Sequence, residues 1–466
     1  MRPAERAYAS TFDVAIIGAG VVGCAAFREF SLAGARTVLV ERDRDIINGA
    51  SKGNSAILHT GFDAVPGSLE ARCVQSGYAE YRRIRERLNL PLIETSALVV
   101  AWNAEQLARL PAILERAAAN GVTDACLLSA REVLAREPNL AAGVAGAVLV
   151  PGESVIDPWS APLAYAQQAI ANGGRVLLGA EVTSGTLEGG LWRLATSAGA
   201  IAARVVINCA GNFGDLVEAI ARPSPFRIKP RKGQYVVFDK SAYPLLRAVI
   251  LPVPTERTKG VVITRTAFGN ILVGPTAEDQ DERRVATIER PVLEHLLDQA
   301  TRMIPSLAEH PVTATFAGLR PATEFSDYQI EAVENRRWIT VGGIRSTGLT
   351  GALGIARHLR ELHELHFGPL GDLVAPAWTP VPNLTEERPR PYAAPGRSEI
   401  VCHCELVTRE EIEGAIEGAL PAATLGGLKR RTRCMMGRCQ GFFCSRRIAE
   451  LVRGRIAGLE LETAGR

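Results

Sequence analysis

The apolar positions of the chain begin with an alternation of strand-like and helix-like runs. FDVAIIGAG reads as one continuous buried strand, VVGCAAFREFSLAG as a helix closed by glycine, and RTVLVER as a second strand. Strand, helix and strand within about 30 residues make a βαβ unit and predict a parallel, doubly wound sheet. Apolar residues then recur at helical spacing over Ser68–Leu88, Ala104–Asn120 and Pro158–Asn172, and Ala202–Ala210 is another buried strand leading to a glycine turn at Gly211.

From Phe226 to Val273 the period shortens. GQYVVFD, GVVITRT and NILVG are short strands separated by turn residues, which predicts an inserted antiparallel sheet. A helix is expected over Pro291–Ile304. The stretch RRWITVGGIRSTGLTGALGIARHLRELHELH repeats strand, glycine turn and helix, so the chain should re-enter its first domain. The proline-rich stretch from Gly368 to Arg397 predicts a linker that wraps the core or joins it to a tail. That tail, Ser398–Arg466, reads as short helices with cysteines on turns.

Composition narrows this picture without changing it. With 466 residues, 47% apolar and 22% charged, the chain can build two or three domains with real cores. A net charge of +3 gives no case for nucleic acid or an anionic membrane as partner. No apolar run reaches the roughly 18 residues of a spanning helix. The start, MRPAERAYASTFD, is polar and lacks the apolar stretch of a secretory leader. A cytoplasmic protein is expected, peripheral to the inner face of a membrane only through a partner.

Gly18-Ala19-Gly20-Val21-Val22-Gly23 joins the first strand to the first helix. The first glycine permits a tight turn, the second lets backbone approach a pyrophosphate, and the third lets helix pack on strand. Free N–H groups at the helix start suit a phosphate. Glu41 ends the second strand, 18 residues beyond Gly23, where a carboxylate can accept from both ribose hydroxyls; Arg42 follows it. The acid fits FAD or NAD and disfavours NADP. Three later segments favour FAD: the small-residue loop Gly49–Ser55, with Ser51, Asn54 and Ser55; the turn at Ala210 and Gly211; and a second glycine-rich turn with Gly343, Arg345, Gly348, Leu349 and Thr350. The helix after that turn could stabilise negative charge on a flavin. Val182 completes the positions expected against the cofactor.

Five of the nine cysteines lie in the last 65 residues, which in a reducing compartment argues for metal. Cys24, Cys73, Cys126 and Cys209 read as packing thiols. Cys402-His-Cys404 is followed after 34 residues by Cys439, and after four more by Cys444. Four thiolates on two turns can enclose a metal centre, an iron–sulfur cluster or zinc, although C-x-C is tight for a zinc knuckle. Cys434 also lies four residues before Cys439, so the pair Cys434/Cys439 competes with Cys439/Cys444.

These segments together resemble a known family. The first 365 or so residues are similar to the D-amino-acid-oxidase/glycine-oxidase superfamily of FAD oxidoreductases. GASKGNSAILHTGFDAVPGSLEA resembles the FAD-dependent glycerol-3-phosphate dehydrogenases and L-2-hydroxyglutarate oxidases, most of all the catalytic A subunits of anaerobic glycerol-3-phosphate dehydrogenase. LKRRTRCMMGRCQGFFC, with the cysteine spacing, resembles the bacterioferritin-associated-ferredoxin-like (BFD-like) [2Fe–2S] domain. The resemblance implies an α/β fold: a Rossmann-type FAD-binding domain, an inserted antiparallel-sheet substrate domain, and a small helical [2Fe–2S]-binding C-terminal domain. The expected division is FAD-binding over 10–90, 150–225 and 335–367, substrate domain over 91–149 and 226–334, linker over 368–397, and cluster domain over 398–466. Relatives usually carry a small apolar residue where Cys434 stands, which points to Cys402, Cys404, Cys439 and Cys444 as ligands.

Oxidation at a flavin needs a C–H bond held over the ring and, for an alcohol, a base. His59, just after the small-residue loop, is the candidate base; its plainer role would be to orient the flavin. Arg320, Arg345 and Arg265 are candidates to grip an anionic substrate. Lys429, Arg430, Arg431, Arg433 and Arg438 would either offset a tetrathiolate cluster or dock an acidic partner. The implied activity is dehydrogenation of a small anionic 2-hydroxy compound, by default glycerol 3-phosphate, with electrons leaving through the cluster to a partner subunit or quinone. The rivals are L-2-hydroxyglutarate or an amino acid as substrate, and an electron-transfer subunit with no small substrate.

Overall fold

The computed structural model describes residues 11–254, 260–396 and 398–456. Its first sheet has eight strands. Thr11–Ile17 lies between Gly199–Asn208 and Thr37–Val40, parallel to both, and Arg175–Leu177 extends the parallel set. Each central strand is buried on both faces and carries few polar residues, as parallel strands under helices must. Gly199–Asn208 is long enough for two partners on one side. Its first half pairs antiparallel with Leu191–Thr196, and its last residues pair parallel with Trp338–Gly342. The chain therefore returns to this sheet after its long excursion, as the repeated strand–turn–helix pattern predicts.

Helices Val21–Leu32, Leu69–Leu88, Ser160–Ala171 and Gly348–Phe367 contribute side chains to one apolar core with the sheet. Ser68 starts the second of these by accepting from the Ala71 N–H, so the helix begins one residue later than its apolar pattern suggests. On the other face Trp192 and Trp338 meet 5.2 Å apart under the antiparallel strands.

The second sheet has nine strands and runs Glu278–Asp279, Lys229–Phe238, Ile271–Gly274, Val262–Arg265, Val249–Pro252, Ala97–Ala101, Gly146–Val150 and Cys126–Ser129, with Val312–Ala322 on the other side of Lys229–Phe238. It is antiparallel except at one place. Val249–Pro252 runs parallel to Ala97–Ala101, at the seam between two distant stretches of chain. Helices Ala104–Ala119 and Arg290–Met303 cover it. Cys24, Cys73 and Cys209 are buried thiols, whereas Cys126 sits exposed on an outer strand of this sheet and is not the packing thiol expected.

The proline-rich stretch is a fixed strap. The Leu373 N–H donates to Leu32, Asn172 exchanges bonds with Ala377, and Val381 N–H donates to Leu88. Trp378 lies under the guanidinium of Arg87, 4.0 Å from its ring centre. The tail that follows is a two-stranded hairpin, Ile400–Cys402 with Val407–Thr408, and helices Arg409–Ala415, Leu425–Thr432 and Ser445–Leu451 around a small core of Val401, Ile412, Leu428, Ile448 and Val452. Among the described residues no helix is long and apolar enough to cross a membrane.

Candidate active site and cysteine cluster

A cleft of about 1320 Å³ runs along the ends of the parallel strands and under the second sheet. The turn after Thr11–Ile17 forms its floor. Gly18 has φ +102°, and a Cβ there would come within 2.5 Å of the Cys209 carbonyl oxygen. A Cβ on Gly23 would strike the Gly18 carbonyl at 1.8 Å, so Gly23 and the buried Ala19 shape the turn from behind. Gly18, Gly20, Val21 and Val22 line the cleft. Glu41 braces the turn, one carboxylate oxygen accepting from the Ala19 N–H at 2.7 Å and the other from the Asp43 N–H at 3.0 Å. Each oxygen keeps a second lone pair for a ribose hydroxyl. Burial pushes this carboxyl above its ordinary range, against those bonds.

Arg42, Ser51, Asn54, Ser55, Val182, Ala210, Gly211, Gly343, Arg345, Gly348 and Leu349 also line the cleft. Their work differs. Ser51 Oγ accepts from the Val21 N–H at the helix start. Asn54 holds its own loop, donating to the Ser51 carbonyl and accepting from the Ala56 N–H. The Arg42 guanidinium lies over Phe213, 3.8 Å from the ring centre. Thr350 stays behind the wall, where its hydroxyl accepts from the His59 N–H at 3.0 Å. Asn212 Oδ1 is buried at the cleft with no partner, a polar atom awaiting a donor. Cleft size, glycine turn, acid and orphaned acceptor all fit FAD.

His59 lines the cleft, and its Nδ1 lies 2.8 Å from the carboxylate of Glu153. Glu153 is fully buried, and its second oxygen accepts from the N–H and hydroxyl of Thr60. A carboxylate can only accept, so the contact places the proton on Nδ1, orients the ring and makes Nε2 the basic nitrogen. Glu153 reaches His59 through strand pairing: Ile57 and Leu58 run antiparallel to Val155 and Ser154. Beside His59 lies a smaller recess of about 200 Å³ walled by Asp63, Glu70, Arg116, Arg345 and Thr347. Arg116 comes from helix Ala104–Ala119 and carries no motif.

Arg320 sits in strand Val312–Ala322 and donates to the carbonyls of Arg231, Lys232 and Thr276. Burial lowers its pKa, and the residue lines the cleft. Arg345 donates to the Ser326 carbonyl and lies 3.7 Å from Glu70. Arg265 departs from expectation. It is not among the described residues lining the cleft; its guanidinium lies over Tyr243, 3.6 Å from the ring centre. Its strand alternates sides, and position 265 falls on the side away from the cavity.

In the tail, Cys402 meets Cys444 and Cys404 meets Cys439, thiol to thiol. The two pairs also act on each other electrostatically, Cys404 with Cys402 and Cys444 with Cys439. Two thiolates for each of two irons suits a [2Fe–2S] cluster better than a tetrahedral zinc. Backbone N–H groups of Phe443, Gly441 and Phe442 donate to Cys439 and hold its thiol below the usual range. Cys434 is completely buried beside Cys402 and Cys444, and burial pushes its thiol up to about 12.

Four basic residues of the tail have defined partners. Arg431 grips Asp45 with both Nη atoms at 2.8 and 3.1 Å, and Arg430 donates to the Ile46 carbonyl. Arg433 pairs with Glu405 at 2.9 Å and covers Phe268, while Arg438 pairs with Asp239. The contacts with Asp45, Ile46, Asp239 and Phe268 fasten the tail to the body, while the Arg433–Glu405 pair lies within the tail. Lys429 acts electrostatically on Cys434 and Arg438 on Cys404, so part of this positive charge also lies beside the cysteines, as the expected charge compensation requires.

Comparison with known proteins agrees with this anatomy. Residues 13–362 match the family model "FAD dependent oxidoreductase" (DAO), and residues 400–453 match "BFD-like [2Fe-2S] binding domain". The chain is 33% identical over 462 residues to a glycerol 3-phosphate dehydrogenase of Caloramator mitchellensis, covering 97% of this chain and 95% of that one. It is 26% identical over 498 residues to one subunit of the anaerobic glycerol-3-phosphate dehydrogenase of Escherichia coli K12, covering 94% and 88%. Among solved structures, the dithionite-reduced L-alpha-glycerophosphate oxidase of Mycoplasma pneumoniae with FAD bound superposes with a TM-score of 0.73 at 29% identity, over 79% of this chain and 98% of that one. The chain belongs to the DAO family of FAD-dependent oxidoreductases, and a BFD-like [2Fe–2S] domain is built into its C-terminal end.

Proposed function

We propose that the chain is a dehydrogenase of glycerol 3-phosphate, with the electrons leaving through the [2Fe–2S] cluster to a partner subunit or a quinone. The observation that carries this reading is the recess beside His59, where the imidazole, held by the buried Glu153, shares a wall with Arg116 and Arg345. FAD, when bound, supplies the hydride acceptor for the carbon that becomes a ketone. The chain supplies the rest. His59 takes the hydroxyl proton, Glu153 fixes the ring and stabilises the imidazolium, and the guanidinium groups of Arg345 and Arg116 hold the phosphate, with Arg320 completing a positive wall. Gly18–Gly23, Glu41 and Ser51 hold the nucleotide half of FAD. Cys402, Cys404, Cys439 and Cys444 are the cluster ligands in this reading, because they are the thiols that meet in pairs. Relatives named for glycerol 3-phosphate support the substrate.

The test is anaerobic bleaching of the flavin by a panel: glycerol 3-phosphate, L-2-hydroxyglutarate, L-lactate, D- and L-amino acids and sarcosine. Rapid bleaching by glycerol 3-phosphate alone is the expected result. Bleaching by a 2-hydroxy acid in its place would reassign the substrate, and bleaching only by another protein would make the chain an electron-transfer subunit.

A further inference from the structure

The loop from Asp43 to Ser55 has two sides. Asp43 and the stretch from Asn48 to Ser55 line the cleft, while Asp45 and Ile46 between them bind Arg431 and Arg430 of the tail. A continuous packed path leaves this loop. The Lys52 carbonyl accepts from Trp159 Nε1 at 3.1 Å. The Trp159 indole stacks on Phe268, ring centres 5.4 Å apart and planes within 11°. The Arg433 guanidinium covers Phe268 at 3.9 Å from the ring centre. Arg433 is followed by Cys434, buried against the Cys402/Cys444 pair.

Neither ring is among the described residues lining the cleft, and Phe268 is only 5% exposed. Three sequence-distant segments, 159, 268 and 433, are thus brought into face-to-face contact between the flavin loop and the cysteines. Electron transfer over such a span depends on unbroken contact, since a water-filled gap couples donor and acceptor far less well than packed atoms.

We propose that Trp159 and Phe268 are the bridge by which electrons pass from flavin to cluster, with Arg433 as its last contact. The inference rests on the order of cofactors given under the proposed function. The substrate loses two electrons with its hydride. They cross singly, each reducing the cluster by one electron, and a one-electron acceptor such as ferricyanide reoxidises the cluster between crossings. The protons left behind go to solvent. The rings are not themselves oxidised; their contact sets the rate.

The experiment uses the full-length holoprotein without air. The flavin is reduced by light with a sacrificial donor, which makes the measurement independent of the substrate. Cluster reduction is followed by its visible absorbance and its EPR signal. Trp159→Leu and Phe268→Leu should each slow cluster reduction severalfold or more. Trp159→Phe, which keeps a ring but loses the Nε1 bond to Lys52, should slow it less, and Phe268→Tyr should stay near the unmodified rate. Protease cleavage within the 368–396 strap should be the same in all five proteins. Unchanged cluster reduction in both leucine variants overturns the bridge. So does slowing that comes with faster strap cleavage, because the contact would then act only by holding the tail. Failure of glycerol 3-phosphate to bleach the flavin would strike the substrate and leave this test standing.

Discussion

The arginines of the cleft and those of the tail are the same residue under opposite electrical conditions. Arg320 is surrounded by three backbone carbonyls, which satisfy its N–H groups without cancelling its charge. Arg345 donates to a carbonyl and also forms a looser ion pair with Glu70 at 3.7 Å, so its charge is only partly offset. In the tail, Arg431, Arg433 and Arg438 close on Asp45, Glu405 and Asp239 at hydrogen-bond distance. A guanidinium solvated by dipoles keeps a net positive field and can attract an anion; one closed on a carboxylate has little field left and serves as a fastener. The counter-charge, a product of the fold, separates binding from fastening.

That contrast can be broken experimentally. The largest effect belongs to the base that the cleft's charge serves: His59→Asn should lower the rate of flavin reduction by glycerol 3-phosphate about 10²- to 10⁴-fold with FAD content unchanged, read by stopped flow. Glu153→Gln should lower the same rate by less, with KM nearly constant, because it positions the imidazole without touching substrate. Next comes the fastener. Asp45→Asn leaves Arg431 buried without its counter-charge and should cost about 3–5 kcal/mol, seen as an earlier melting step and faster cleavage of the strap. Arg345→Met should raise KM for glycerol 3-phosphate, with a loss of about 2 kcal/mol in kcat/KM and no change in melting. The smallest effect is at Arg265. Removing its charge with Arg265→Gln should leave kcat/KM unaltered and cost no more than about 1 kcal/mol of stability from the lost contact with Tyr243.

Legibility followed the range of the interactions. Gly18, Gly20, Gly23 and Glu41 form one βαβ unit, so their spacing is itself a geometric statement, and the structure keeps them together around one turn. Glu153 carries no local signal. It lies 94 residues from His59 and becomes its partner only when Ile57–Leu58 pairs with Ser154–Val155. Arg116 was hidden for the same reason, on an amphipathic helix whose pattern tells only which face is buried. Arg265 misled because a strand residue has two possible sides and the run Val262–Arg265 is too short to fix them. The tail arginines were readable as a positive cluster, but their acids are supplied by the loop after the second strand, by the second sheet and by the hairpin that carries Cys404.

The clamp at Asp45 also bears on how the two modules can be separated. A body cut off after helix Gly348–Phe367 would uncover Phe268 and leave the Asp45 carboxylate without the guanidinium that encloses it. Such a fragment would carry a new apolar patch beside a stranded charge, a surface prone to self-association. Conversely, grafting the tail onto another flavoprotein would require transplanting Asp45, Asp239 and Phe268 along with it. The join between the modules is therefore the hardest part of this protein to move and the part that any chimera should rebuild first.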